Sequence, residues 1–467
     1  MAHQGGQRLR HGRQQQPVQP VLHGRRFRSV THDFAAAPDA AADFKISRIP
    51  MYWRKSLAAA LLAPVLTACG GGDDPPPAPV VRLCPKTIDY NTVFTGGSGS
   101  GELVRVQLDT TKMTFQITYL ASPVPATTGT VQPTRDAAPN NIVTGTLTDE
   151  TGLPTEKLNQ CTFRLNNASL DPNRPARVFL GEGVLGGAIP GATIQFGGVI
   201  GVGQIPKTTF PYYPFISFSD QETDLSKIAG NYNQLGYHQV PSQNFAQAAV
   251  DAKVTINADG TYVETDNFGR KNGGQPLASS ATVNQKLTLR ADAPVFQSLN
   301  YQPQVPPTLA SLDPSKAGKG ILIVGKLRNQ LVPIFIRTGA ANADLTQGAP
   351  VADDESGISI LSPQTAIASG SQDGEYTGVD SVLDYRATAL VGAQATLLDP
   401  FHASQVALTR SLNLDYTQTV PGVVTTVQTN AASGPPTGKF VFTGGVFGLL
   451  DMSDVNNPYF TVGAFVQ

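Results

Sequence analysis

This chain of 467 residues is poor in the residue types on which much site chemistry is built: three cysteines, six histidines, four methionines and one tryptophan. No C-x-x-C spacing occurs, so zinc and thiol-redox chemistry have no handle. Four of the histidines (His3, His11, His23 and His32) precede Asp33. The other two, His238 and His402, are too few for a metal cluster unless carboxylates join them, and no metal or cofactor is expected. A G-x-S-x-G elbow, an H-E-x-x-H helix, a Walker loop, a G-x-G-x-x-G turn after a strand and a D-x-D-x-D-G calcium loop are all missing. The catalytic residues, if there are any, are therefore unknown from sequence, and the reading leans away from an enzyme. Long apolar runs are missing too. The run Ser56–Leu66 is too short to cross a bilayer core, which needs about 20 apolar residues.

What that short run does carry is an address. Met51-Tyr-Trp-Arg-Lys55 is a positive stretch, Ser56–Leu66 is mostly apolar, and Thr67-Ala68-Cys69-Gly70 ends it with small residues. These are the three parts of a secretory signal peptide. The tetrad Leu66-Thr67-Ala68-Cys69 resembles the lipobox of bacterial lipoproteins. That resemblance, which covers Met51 to about Asp74, implies cleavage before Cys69, a diacylglycerol on its thiol and acylation (palmitate or a similar chain) of the new amino terminus. Two or three acyl chains hold firmly where one binds marginally, at ~0.8 kcal/mol per buried methylene. Gly70 stands where an aspartate would signal inner-membrane retention, so the implied address is the outer membrane, on its periplasmic or surface face. Residues 1–50, rich in arginine and without apolar periodicity, read as an upstream start-codon artefact or a disordered leader.

Ten of the 34 basic but only three of the 35 acidic residues precede Cys69, which leaves 24 against 32 and a charge of −8 for the remainder. An acidic body disfavours nucleic acid as a partner. With Cys69 acylated, Cys84 and Cys161 remain as an even pair in an oxidising compartment, either joined in a disulfide or buried as separate thiols. Residues 69–83, dominated after the cysteine by Gly, Asp and Pro, form a solvated tether.

The body reads as all-β: antiparallel sheets in two or three tandem lobes, sandwich-like or barrel-like, at 84–222, 223–345 and 371–467, with 346–370 as a linker. Glu102–Asp109 and Lys112–Tyr119 alternate across a short link, the pattern of a hairpin. Similar strands are expected at Lys253–Val263, turning at Asp259-Gly260, and at Ile321–Ile336. Short helices are expected near Ser242–Ala252 and Thr396–Ser404. Gly96–Gly101 reads as a flexible loop, since no helix follows it to offer an anion site. A weak repeat links Arg177–Gly203, Gly320–Gly339 and Lys439–Gly463, and Gly230-Asn-Tyr232 and Gly374-Glu-Tyr376 each open a segment. The combination of lipobox, tether and tandem β segments resembles a group of proteobacterial lipoproteins whose body is a domain of unknown function.

Two features bear on activity. Phe210, Tyr212, Tyr213, Phe215 and Phe218 lie within nine residues with two prolines, forming either an aromatic strip for a sugar or protein ligand or a packed junction between lobes. The pairs Asp353/Asp354 and Asp380/Asp384 are the candidates for hydrolysis or cation binding. The expectation is a membrane-anchored binding or scaffold module with an unidentified protein or glycan partner. The alternative is a hydrolase of envelope or extracellular polymer using carboxylates that only the fold brings together.

Overall fold

In the computed structural model of this chain, the described residues are 83–199, 203–269, 271–272, 275–276, 285–299, 318–342, 351–405, 409–428, 437–454 and 457–465. Leu66, Thr67, Ala68 and Cys69, the leader before them and the tether after them lie outside that set. Ala78–Gln467 forms one compact unit.

The alternation at 103–121 folds as a hairpin. Leu103–Asp109 pairs antiparallel with Thr114–Ala121, placing Val104 opposite Tyr119, Val106 opposite Ile117 and Leu108 opposite Phe115. All six are buried on one face, as a period of two requires. Asp109 shapes the turn by accepting from the backbone N–H groups of Thr111 and Lys112. The chain meanders on through Ile142–Asp149, Thr162–Leu165, Arg177–Leu180, Val184–Val199 and Gly203–Phe218, and Phe94–Ser98 pairs with both Leu103–Asp109 and Gly203–Phe218 to close an eight-stranded barrel. Its interior is packed with apolar side chains, and closure leaves no free sheet edge. A disulfide joins Cys84, ahead of the first strand, to Cys161, beside the strand Thr162–Leu165.

Gly96–Ser98 belongs to a buried strand, which corrects the flexible-loop reading of Gly96–Gly101. The glycines there serve close approach. A Cβ on Gly96 would sit 2.1 Å from the Ile216 carbonyl oxygen, and one on Gly97 would sit 2.4 Å from Cγ2 of Ile336 in the next sheet.

That next sheet has eight antiparallel strands in the order Tyr262–Asp266, Ala246–Ile256, Gly230–Val240, Ser356–Pro363, Gln330–Thr338, Lys319–Leu327, Phe296–Ser298, Thr288–Leu289. Ser356–Pro363 lies in its middle, so residues 346–370 are not simply a linker. Both faces are buried. Ile321, Ile323, Ile334, Ile336, Ile358 and Ile360 join one cluster with residues of both barrels, while Leu322, Val324, Phe335 and Leu361 join a second on the opposite face. A strand covered on both sides reads as a continuous apolar run, which is what Ile321-Leu-Ile-Val324 is. Each such side chain, fully buried, contributes about 1.5–3 kcal/mol.

The second barrel is again an eight-stranded meander: Gly374–Asp380, Tyr385–Val391, Gln394–Leu398, Arg410–Asp415, Val424–Gln428, Gly438–Thr443, Val446–Asp451 and Tyr459–Phe465, the last pairing with the first. Neither expected helix forms: the first segment is mostly strand, the second strand and then turn. A short 3-10 turn at Pro241–Gln243 precedes Ala246–Ile256, which pairs along its length with Gly230–Val240, and Gln394–Leu398 is followed by a turn that begins at Pro400. Cross-strand pairing overrides the helix preference of the alanines at 246, 248, 249 and 252. Among the described residues no helix is long and apolar enough to cross a membrane.

Candidate functional site

Buried ionisable groups lie on both faces of the central sheet, Glu102 and Asp354 on the side of the first barrel and the Asp353–Arg337 and Glu355–His238 pairs on the opposite face. On the barrel side Glu102, fully buried, ends the link between the first two strands. Its carboxylate accepts from the Ser122 hydroxyl (2.5 Å), the Ser100 hydroxyl (2.6 Å) and, through two nitrogens, the Arg135 guanidinium. Arg135 also donates to the Pro190 and Gly191 carbonyls, 3.1 Å each, and stacks 4.1 Å from the Tyr119 ring centre. Burial opposes the Arg135 charge, yet the adjacent Glu102 holds its pKa above the usual guanidinium value.

On the sheet side three acids follow one another in sequence, and each has different partners. Asp353 pairs with the buried Arg337 at 2.6 Å and accepts from the Gly318 N–H. Glu355 lies 2.6 Å from Nδ1 of His238, which is fully buried on the strand Gly230–Val240. Asp354 accepts from the Ser242 N–H (2.6 Å) and hydroxyl (2.7 Å), with no cation beside it among the described residues. Burial raises the Asp354 carboxyl above the ordinary aspartate value, against the lowering effect of the two Ser242 donors. A cavity of about 30 Å³ separates this loop from the barrel, lined among others by Ser100, Val124, Tyr213, Gln239, Phe245 and Asp354. That holds a water or two and falls well short of the ~300 Å³ at which small-molecule pockets begin.

The aromatic segment is a junction and does not face solvent. Phe210, Tyr212, Tyr213, Phe215 and Phe218 are all buried. Tyr212 donates to the Leu383 carbonyl of the second barrel at 2.6 Å, and its ring lies 5.4 Å from that of Tyr385. Burial pushes the Tyr212 phenol up to about 12. Tyr213 lines the cavity, and a Cβ on Gly325 of the central sheet would run into the Phe218 ring. One segment thus touches both neighbouring sheets.

Tyr385 fastens the two barrels from the other side. Its hydroxyl accepts from the Arg177 N–H (2.7 Å) and donates to the Pro175 carbonyl (2.9 Å), and its ring meets Phe179, Tyr212 and Phe401. Of the carboxylates Asp380 and Asp384, only the second reaches across this join. Asp380 is buried against Arg386 at 2.7 Å, and the half-exposed Asp384 lies near Arg386 (3.1 Å) and Arg174 (3.4 Å). His402 is exposed, with Nδ1 2.7 Å from Asp399. No group of three or more metal-ligating side chains occurs among the described residues.

Sequence reasoning named Asp353, Asp354 and His238 but missed Glu102, Arg135, Arg337 and Glu355. Nothing in local spacing connects them, since Arg135 lies 33 residues from Glu102 and Glu355 lies 117 from His238.

Two packed eight-stranded barrels bound through one central sheet define a tandem β-barrel protein with a charged seam. Residues 114–464 match the family described as a protein of unknown function, DUF2957, and the chain belongs to that family. The solved structure of intact Ap-TbpB (N and C lobes) aligns over 78% of this chain and 66% of that one, just under two thirds of its length, at 10% identity and a TM-score of 0.19. No curated protein matches the sequence.

Proposed function

We propose that this protein is an envelope lipoprotein, acylated on Cys69 and tethered to the outer membrane, that acts as a non-catalytic binding or scaffold module for a protein or glycan. The observation behind this reading is that the buried carboxylates are held in fixed pairs. Glu102, Asp353, Glu355 and Asp380 each lie against a fixed Arg or His partner. A glycosidase-type hydrolase instead needs two carboxyl groups flanking a cleft wide enough for a sugar ring. Closed, filled barrels joined through a third sheet supply a stiff body with broad outer surfaces, suited to holding a partner. The lipobox resemblance at Leu66-Thr67-Ala68-Cys69 and the Gly/Asp/Pro tether supply the anchor.

Incubation of the purified protein with isolated envelope polymers separates the readings. Co-sedimentation without release of soluble fragments is the expected outcome. Fragment release that stops on Asp380→Asn or Glu355→Gln would establish the hydrolase in its place.

A further inference from the structure

The last two strands of the first barrel outrun their neighbours. Val184–Val199 and Gly203–Phe218 have 16 residues each, against 4 to 8 in the other six. Arg177–Leu180 pairs with the first only over Leu185–Gly187, and Phe94–Ser98 pairs with the second only over Phe215–Phe218. Beyond those residues the two strands pair, among the described residues, with each other alone. They leave the barrel as a two-stranded ribbon, on which Pro206, Lys207 and Thr209 are exposed.

The two edges of the ribbon differ. Pro206, Lys207, Pro211 and Pro214 lie along the second strand, and such residues keep an edge from pairing. The Leu170 N–H also donates to the Pro211 carbonyl at 3.1 Å. On the first strand Arg135 holds the Pro190 and Gly191 carbonyls, and the Thr128 hydroxyl donates to the Thr193 carbonyl at 3.2 Å. Past Thr193 that protection stops. Ile194–Val199 has no proline, no charge and, among the described residues, no strand on its outer side. The Thr193 carbonyl faces outward, so the period of two puts the N–H and C=O of Gln195 on the same open edge.

The barrel is held from its other end. Cys161 precedes Thr162, which pairs with Phe179, and Leu180 pairs with Leu185 at the start of the first ribbon strand. The Cys84–Cys161 bond therefore lies at the end opposite the ribbon, about 50 Å from Val199 at the rise of a strand. An anchor at Cys69 reaches Cys84 over about 50 Å at full extension. Bringing the ribbon back to the bilayer would need that whole length laid straight along the barrel.

We propose that Ile194–Val199 is a docking edge for a partner protein, which adds an uncharged extended segment to the ribbon as a third strand. Main-chain hydrogen bonds supply the affinity in this mode. No charged residue occurs between Glu182 and Lys207, so the ribbon offers a charged segment no counter-charge. A second copy of this chain fits less well. Antiparallel pairing of this edge with itself needs ribbons pointing in opposite directions, whereas copies anchored in one membrane point the same way and meet in parallel, the weaker pairing. The proposal deepens the binding-module reading and rests on the anchor for the direction of the ribbon.

The test uses the full chain in solution and the amidated peptide Thr-Val-Thr-Val-Thr-Val, acetylated or carrying a fluorophore at its amino end. Fluorescence anisotropy should show saturable binding, and hydrogen exchange should slow at the amides of Ile194–Val199. The same peptide N-methylated at every amide keeps its side chains but loses its donors, and it should not bind. Gln195→Pro removes one edge N–H and should weaken binding about tenfold, while Gln195→Ala leaves it unchanged. The N-methylated peptide keeps the comparison sound on the parent protein if Gln195→Pro unfolds. Absence of binding, equal binding of the N-methylated peptide, or full affinity in Gln195→Pro would overturn the proposal. So would slow exchange at Ile194–Val199 in a peptide-free monomer, which would assign the edge to another segment of this chain, or a dimer that Gln195→Pro dissociates, which would assign it to a second copy. None of these outcomes bears on the anchor, which is read separately from the mass of the chain at Cys69.

Discussion

Replacing Glu102 with glutamine should be among the most damaging isosteric changes in the first barrel. The carboxylate is fully buried and neutralises Arg135, whose guanidinium reaches it through two nitrogens. Glutamine keeps an oxygen for the Ser122 hydroxyl and one arginine nitrogen but turns its NH2 group toward the other arginine nitrogen, where a donor meets a donor, while the Ser100 hydroxyl can rotate to accept. Breaking a buried ion pair by removing one partner costs about 3–5 kcal/mol, because the remaining charge is left uncompensated. Arg135 keeps the Pro190 and Gly191 carbonyls and the Tyr119 face, so the lower end, about 3 kcal/mol, is expected. Urea unfolding followed by circular dichroism measures it. A double replacement, Glu102→Leu with Arg135→Met, removes both charges and should recover most of the loss. A Glu102→Gln protein within about 0.5 kcal/mol of the parent, the range of ordinary surface changes, would refute the electrostatic account of the seam. So would a double variant no better than the single one.

Tyr385→Phe strands the Arg177 N–H and the Pro175 carbonyl inside the barrel contact and should cost about 2 kcal/mol, with faster hydrogen exchange at Arg177 as its local signature. Removing the disulfide by Cys84→Ser with Cys161→Ser opens a loop of 77 residues and should lower stability by up to about 4.5 kcal/mol on the chain-entropy model, read from denaturant midpoints with and without reductant. Asp354 gives a pH test. Burial raises its folded carboxyl pKa above the unfolded value, so its stabilising contribution is present at low pH and is lost as pH rises through the folded value. Asp354→Asn should therefore melt higher than the parent near pH 7, with the gap closing toward about pH 3. A gap that widens on acidification would contradict the raised value.

The hairpin at 103–121 was legible because Val104, Val106 and Leu108 alternate with polar residues and one barrel face is packed. The central strands were legible as strands, but the unbroken Ile321–Val324 run reports burial on both faces only once the barrels are known to cover one of them. Glycine carries no side-chain period, so Gly96 and Gly97 read as loop although Ile216 and Ile336 leave no room there for a Cβ. The alanines of 246–252 favour helix locally and lose to pairing with Gly230–Val240. The buried charges were the least legible feature. Asp353 and Asp354 stood out as neighbours, but what sets their chemistry is Arg337, Ser242 and the barrel wall, all brought in by long-range pairing. Tyr213 was visible as one of five aromatics, and only the fold separates its unbonded hydroxyl from that of Tyr212, which bonds Leu383.

Membrane attachment through Cys69 is tested most directly by intact-mass analysis of the protein isolated from the membranes of cells that make it. The expected species begins at Cys69 and carries the added mass of a diacylglyceryl group and an amide-linked acyl chain, and Cys69→Ser abolishes both cleavage and added mass. An unmodified chain beginning at Met1 would contradict the anchored reading.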